Sequence, residues 1–279
     1  QDFMVYLEFN PRDFEEFWRF AQPVGPLIFR ELDPAVQRTM LRLLLDKKDQ
    51  YINDAIWQGV KGGVNGGGSS PAYVTPSGAS DLGGMTSGGV MKYFNGLLAR
   101  VLTNLKAAAT AEGSRTEDQK KEVASGTVKL AGSTTLTTGE QVEAALYAVW
   151  KSCPAHVRKS KKLKFVMNWE LWDLYDEYLT KKGDKYVENP EINRRLFKGK
   201  EIVVIDGAPD HTIFLAKFST DQDSCAWMAI DYATDEESVK VERLQANSEL
   251  YFFQMRIKMD VNIVLPSEIV VWTAYTAAA

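Results

Sequence analysis

Residues 251–266, YFFQMRIKMDVNIVLP, place the tightest limit on how this chain folds. Tyr251, Phe253, Met255, Ile257, Met259, Val261, Ile263 and Leu265 take every second position, and Gln254, Arg256, Lys258, Asp260 and Asn262 fill most of the places between. A period of two means a strand with one apolar and one wet face. At about 3.3 Å per residue the ribbon predicted over 250–265 spans roughly 50 Å, whereas a usual strand has about 5–6 residues. Met255, Ile257 and Met259 are expected to face the helix formed by TTGEQVEAALYAVWKS, and Arg256, Lys258 and Asp260 to face solvent or a second subunit.

The other end of the chain is also extended. FMVYLEF, residues 3–9, alternates like a strand and is stopped by Asn10-Pro11; an aromatic group, Phe14, Phe17, Trp18 and Phe20, precedes the breakers Pro23, Gly25 and Pro26. Residues 1–32 therefore read as extended arms around a turn. Asp33-Pro34 is a helix opening, an N-cap followed by proline, and Val36, Met40, Leu43, Leu44 and Ile52 line one side of a helix that runs to Trp57 and stops at Gly59. Residues 62–89 hold half of the chain's 20 glycines. Such a block packs as neither helix nor central strand. It contains neither GxGxxG nor GxxxxGK[ST], so a long mobile surface loop is expected rather than a phosphate cradle. Ordered structure resumes at Tyr93, and the polar residues 112–126 read as a second exposed excursion.

The strongest helix signal is TTGEQVEAALYAVWKSCP. Thr138 and Gln141 have the spacing of a capping box, and Val142, Leu146, Val149 and Cys153 recur with helical period. Pro154 kinks or ends this helix; continued past it, the helix covers about residues 139–158, and the basic run 158–164 suits the negative end of its dipole. LKFVM (163–167) is a buried strand. Asn168 caps the following helix, WELWDLYDEYL, and Gly183 terminates it. Short strands are predicted at 201–205, 211–216, 225–230 and 238–244, and a last one at 268–275, which makes the chain α+β.

The chain's 279 residues, 45% hydrophobic and 25% charged, have a globular composition, and a net charge of −4 argues against a dedicated nucleic-acid binder. There is no apolar run long enough for a bilayer and no signal-peptide block in the first thirty residues, so synthesis inside the cell is expected. Gln1 stands where an initiator Met would, which processing, the choice of expressed segment or an upstream start explains equally. Cys153 and Cys225 read as reduced, packed thiols. His156 and His211 are the only histidines, which excludes HExxH zinc chemistry, and neither GxSxG nor SxxK occurs. Cofactors, metals and catalytic residues are therefore expected to be absent. The competing enzymatic reading uses a cysteine with His156, or the carboxylates Glu170, Asp173, Asp176 and Glu177, whose spacing puts them mainly on the solvated side of their helix. Acidic residues between Asp221 and Glu237 lie among turns. Arg158, Lys159, Lys161, Lys162 and Lys164 form a solvated helix end, able to meet phosphates or an acidic neighbour in an oligomer.

The order of these elements resembles the major capsid proteins of tailed double-stranded DNA bacteriophages, whose fold is shared with encapsulins. The stretches that carry the resemblance are TTGEQVEAALYAVWKS as a spine helix, KLKFVMNWELWDLYDEYLTKKGDKYV, LFKGKEIVVIDGAP with Glu201-Ile202 where proline is common, and FFQMRIKMDVNIVLPSEIVVW with Ser267-Glu268 in the closing turn. NDAIWQG and YFNGLLARV, on either side of the glycine block, fit the same order. The resemblance implies an extended arm over residues 1–32, a peripheral domain from 33–163 and 244–279, and an inserted axial domain, 164–243. It implies a self-assembling icosahedral shell of pentamers and hexamers around phage DNA. The expected location is the virion, after assembly in the host cytoplasm. Scaffold, maturation protease and portal proteins are the implied partners, and no membrane. Candidate subunit contacts are Phe3, Val5, Leu7 and Phe9 on the arm, Arg158, Lys159, Lys161 and Lys162 in the basic run, and Arg256, Lys258 and Asp260 on the ribbon. No residue matches the lysine–asparagine crosslink of certain phage shells. An encapsulin-like compartment, or less favourably an α/β enzyme, is the alternative.

Overall fold

The computed structural model describes residues 2–9, 34–60, 73–74, 94–183, 195–230, 239–243 and 250–277. They fall into two compact units, Gln1–Tyr51 with Ala229–Asp260, and Ile52–Met228 with Val261–Ala279.

The first unit is built on the ribbon. β1 (Asp2–Phe9) pairs antiparallel with β10 (Tyr251–Ile263), so that Phe3 faces Ile257 and Leu7 faces Phe253 across the ladder. β9 (Val239–Arg243) pairs antiparallel with residues 251–255 of the same ribbon. The predicted strand is thus present but ends at Ile263, because Pro266 and its neighbours turn as a short 3₁₀ helix, Pro266–Glu268. Alternation holds where the side chains are described: Met259 and Val261 are buried, and Lys258 and Asn262 are exposed. The side chains of Met255, Arg256 and Ile257 lie outside the described residues, as does the rest of the arm, 10–32.

α1 (Pro34–Gln58) realises the helix predicted from Asp33-Pro34. Its last turns belong to the second unit, whose centre is a six-stranded sheet. The strand order is β3 (Lys129–Gly132), β11 (Val270–Thr273), β7 (Thr212–Lys217), β4 (Leu163–Met167), β6 (Lys200–Val204) and β5 (Leu196–Phe197). β4 runs parallel to β6 and antiparallel to β7; β11 runs antiparallel to β7 and parallel to β3. The sheet therefore unites strands from both sides of the sequence boundaries placed at 163/164 and 243/244.

Two helices cover this sheet. α4 (Gly139–Ser152) turns Val142, Leu146 and Val149 inward, all fully buried, and α6 (Trp169–Lys182) contributes Leu171 and Tyr175 to the same cluster with Phe165, Ile213, Leu215 and Val270. Fully burying one such large aliphatic side chain is worth about 1.5–3 kcal/mol. The Thr138–Gln141 capping box forms at the start of α4 as the sequence predicts, and the Asn168 side chain accepts from the Leu171 amide, 3.0 Å, at the start of α6. Gly183 closes α6 at φ 76°.

Three expectations are corrected. The spine helix stops at Ser152 instead of continuing to about 158: proline disfavours helical backbone at the residue before it, Cys153 is extended, and the chain restarts after Pro154 as the single turn α5 (Ala155–Arg158). The excursion 112–126 contains a helix, α3 (Glu117–Ala124), with its own capping box of Thr116 and Gln119. None of its residues is buried, so it has no apolar stripe to announce it. Inside the glycine-rich block, β2 (Tyr73–Val74) pairs with β12 (Thr276–Ala277), which with β11 replaces the single last strand predicted at 268–275. The rest of 62–89 lies outside the described residues.

Candidate self-association surface

The turn between β5 and β6 needs two consecutive residues of positive φ. Lys198 (51°) and Gly199 (75°) supply them, giving a two-residue hairpin of the primed type whose twist matches its strands. The hairpin brings cations onto aromatic rings of α4 and α6. The Arg195 guanidinium lies 4.7 Å from the Trp169 ring centre and 5.2 Å from that of Trp172, while Lys198 Nζ lies 4.9 Å from Tyr147. Phe197 packs edge-on against Tyr147 at 5.0 Å and Phe165 at 5.5 Å, tying the hairpin to the core. Yet Tyr147, Trp169 and Leu196 remain between 44% and 49% exposed. Arg195 and Lys198 have no carboxylate partner among the described residues. The outcome is an apolar platform with two cations set into it.

A second exposed apolar stretch lies on β8 (Ala226–Ile230), which follows β10 in the order of the four-stranded sheet. Successive strand residues point to opposite faces. Trp227 is 48% and Met228 51% exposed, so neither face of the strand is covered at this point. The Trp227 indole N–H donates to the Ser224 carbonyl, 3.1 Å, which fixes the ring without burying it.

The basic run divides into different roles. Arg158 folds back on α4: its Nε donates to the Cys153 carbonyl at 2.9 Å, a terminal N–H donates to the Lys151 carbonyl at 2.7 Å, and the guanidinium lies over Trp150. A cation there satisfies carbonyls at the negative helix end. Lys162 pairs with Asp221 (2.7 Å) and Asp223 (3.1 Å). These two carboxylates hold its ammonium above the ordinary lysine range. Lys164 pairs with Glu201, a neighbour on the parallel strand. Lys159 and Lys161 are exposed and have no ion-pair partner among the described residues. On the ribbon, Lys258 is exposed and Asp260 half-buried. Phe3, Val5, Leu7 and Phe9 all lie on β1, against Ile257, Met255, Phe253 and Tyr251 of β10.

Of the residues in the enzymatic reading, Cys225 and His156 both lie near Glu268, with the Cys225 Sγ 3.8 Å from Glu268 Oε2. Cys225 is fully buried, and burial first, with the nearby Glu268 carboxylate adding to it, pushes its thiol up to about 11. A neutral thiol is a poor nucleophile. Cys153 is likewise buried and raised, chiefly by burial. His156 Nε2 lies 3.9 Å from Glu268 Oε1, and Glu268 Oε2 is engaged by Lys217 Nζ at 2.6 Å. Asp173, Glu170 and Glu177 are exposed along α6, opposite Leu171 and Tyr175. The Asp210 carboxylate accepts from the Asn168 amide at 2.6 Å, a link between the start of α6 and the start of β7 that local sequence did not reveal.

No family model matches the chain, and no curated protein sequence does. Solved structures do resemble it. A chain of the satellite phage P4 procapsid, a particle that includes the size determination protein, matches over 98% of this chain and 70% of its own length, at 10% identity and a TM-score of 0.54. A chain of the cyanophage A-1(L) capsid matches over 98% of this chain and 77% of its own, at 11% identity and 0.53. A chain of the capsid of an empty GTA particle matches over 100% and 74%, at 14% identity and 0.52. Likeness at such low identity resides in the backbone, and the α+β fold of this chain is that of phage major capsid proteins.

Proposed function

We propose that this chain is a major capsid protein, a structural subunit whose copies tile an icosahedral shell around phage double-stranded DNA. The observation that carries this reading is the likeness of fold along 98% of the chain to capsid structures such as the P4 procapsid. The exposed platform of Tyr147, Trp169 and Leu196 and the uncovered β8 support it, since contiguous apolar surface marks places where proteins associate. Closed shells need contacts that pair around several axes, formed by pentamers and hexamers of one chain. Lys159, Lys161, Lys258, Asp260 and the arm residues Phe3, Val5, Leu7 and Phe9 are the proposed contacts beside those two surfaces. Scaffold, maturation protease and portal proteins are the proposed partners in the host cytoplasm, and the virion is the proposed destination. The chain acts by assembling, with no catalytic step.

Negative-stain microscopy and light scattering of the expressed chain test the proposal. Closed particles, or pentamers and hexamers, are expected. A monomer across a wide range of concentration and salt overturns it. Particles that hold a protein cargo instead of DNA in their native source replace it with a compartment of the encapsulin kind.

A further inference from the structure

Two exposed surfaces of the chain carry opposite charge. The first is the platform around the β5–β6 hairpin, where residues 192–200 hold Arg194, Arg195, Lys198 and Lys200 and no carboxylate. Lys200 is engaged locally, its Nζ donating to the Ser160 carbonyl at 2.6 Å. Arg195 lies against the Trp169 and Trp172 rings and Lys198 against Tyr147, which leaves both charges without a carboxylate among the described residues. On the surrounding elements, Glu143 is bound by Lys182 and Glu201 by Lys164. Glu170 and Asp173, exposed on α6, form no ion pair with Arg195 or Lys198, and Lys151, one turn beyond Tyr147 on α4, adds a further exposed cation.

The second surface is β8. Trp227 and Met228 are uncovered on its two faces, and Val264, whose amide donates to the Cys225 carbonyl at 2.9 Å, is exposed beside the start of the strand. From Asp221 to Ser238 the sequence has six carboxylates and no Lys or Arg. Lys162 takes Asp221 and Asp223; Asp231, Asp235, Glu236 and Glu237 follow β8 directly.

We infer that the platform of one copy receives β8 and the acidic stretch after it, residues 226–237, of a second copy, an assignment that rests on the shell reading above. Apolar side chains then cover each other, while Arg195 and Lys198 meet carboxylates at the rim, where complementary charge sets orientation and choice of partner. Platform on platform would oppose cation to cation, and β8 on β8 would oppose carboxylate to carboxylate. Because the contact joins two different surfaces, each copy of a pair still offers one of them, and repetition about an axis closes a ring. The proposed pentamers and hexamers are rings of that kind.

Charge reversal and crosslinking of the full chain test this. Arg195→Glu/Lys198→Glu and Asp235→Lys/Glu236→Lys are each expected to raise the concentration needed for particle formation about tenfold or more, and their combination to return it to within about threefold of wild type. A second measurement needs no variant: a carbodiimide is applied to particles grown from isotopically labelled and unlabelled wild-type chain. Peptides joining Lys198 to a carboxylate within 231–237 are expected, with isotopically mixed pairs among them, the mark of a contact between copies. Particles without mixed crosslinks from Lys198 to 231–237 overturn the inference and leave the shell reading standing. So does a combined variant that assembles no better than either parent. A wild-type chain that stays monomeric removes both.

Discussion

Lys217 and Glu268 meet at 2.6 Å with their side chains only 18% and 15% exposed, joining the end of β7 to the turn that precedes β11. Removing one member of such a pair leaves the other charge shielded from water and uncompensated. Lys217→Met is expected to cost about 3–5 kcal/mol in urea unfolding of the unassembled chain. The double variant Lys217→Met/Glu268→Leu is expected to recover much of that loss. Equal loss in the single and double variants would show that packing, not charge, is responsible.

The two buried thiols predict resistance to alkylation. With its thiol pushed up to about 11, Cys225 is expected to react with iodoacetamide at neutral pH only when the chain opens, so that labelling and unfolding share one denaturant midpoint. The same burial sets an alkaline limit. Tyr275 is pushed up to about 12, first by burial and then by Asp210 and Glu170. Folding favours the neutral form of both groups, so stability is full below about pH 9 and falls as pH rises through the folded values, by about 2–3 kcal/mol for each group. Urea midpoints measured between about pH 8 and pH 11 check the sign.

Substitutions on the two apolar surfaces separate folding from association. Trp227→Ser with Met228→Ser, and Trp169→Ser with Leu196→Ser, are expected to leave the unfolding midpoint of the subunit within about 1 kcal/mol, since the side chains are about half exposed. Each pair is expected to raise the concentration needed for particle formation about tenfold or more, as read by light scattering. Normal assembly by both variants would remove these surfaces from the proposed contacts.

On the ribbon the two faces predict opposite outcomes. Met259→Asp places an unpaired charge at a buried position and is expected to prevent folding. Lys258→Ala, at the adjacent exposed position, is expected to stay within about 0.5–1 kcal/mol of wild type. Circular dichroism and solubility distinguish the two. Folded Met259→Asp protein would mean that the buried face is misassigned.

How far sequence reaches is clear from particular residues. Helix ends were readable where one residue makes them: Thr138, Asn168 and Gly183 act on amides and carbonyls within a turn, so spacing alone reveals them. Thr116 and Gln119 carry the same local signal, but the helix behind them turns no apolar residue inward, and its polar composition read as a loop. The alternation of the ribbon was visible; its pairing with β1 and β9 was not, since register depends on strands distant in sequence. The approach of Arg195 to the rings of Trp169 and Trp172, and the burial of Lys217 with Glu268, are likewise products of the assembled fold. Sequence reads Arg158 as part of a solvated helix end suited to the dipole; its bonds to the Cys153 and Lys151 carbonyls form in the turn after Pro154.

The six-stranded sheet has a property that matters if, as proposed, the chain is a shell protein made in many copies. Its long strands lie inside, while its borders are β5, two residues long, and β3, four residues long with a shift in register against β11. Short, irregular borders give an incoming strand little backbone to pair with. Growth by adding strand to strand, the route to fibres, is therefore poorly templated by this sheet. In the proposed shell, crowded copies are left to meet through side chains on defined faces, and contacts of that kind have the geometry to close.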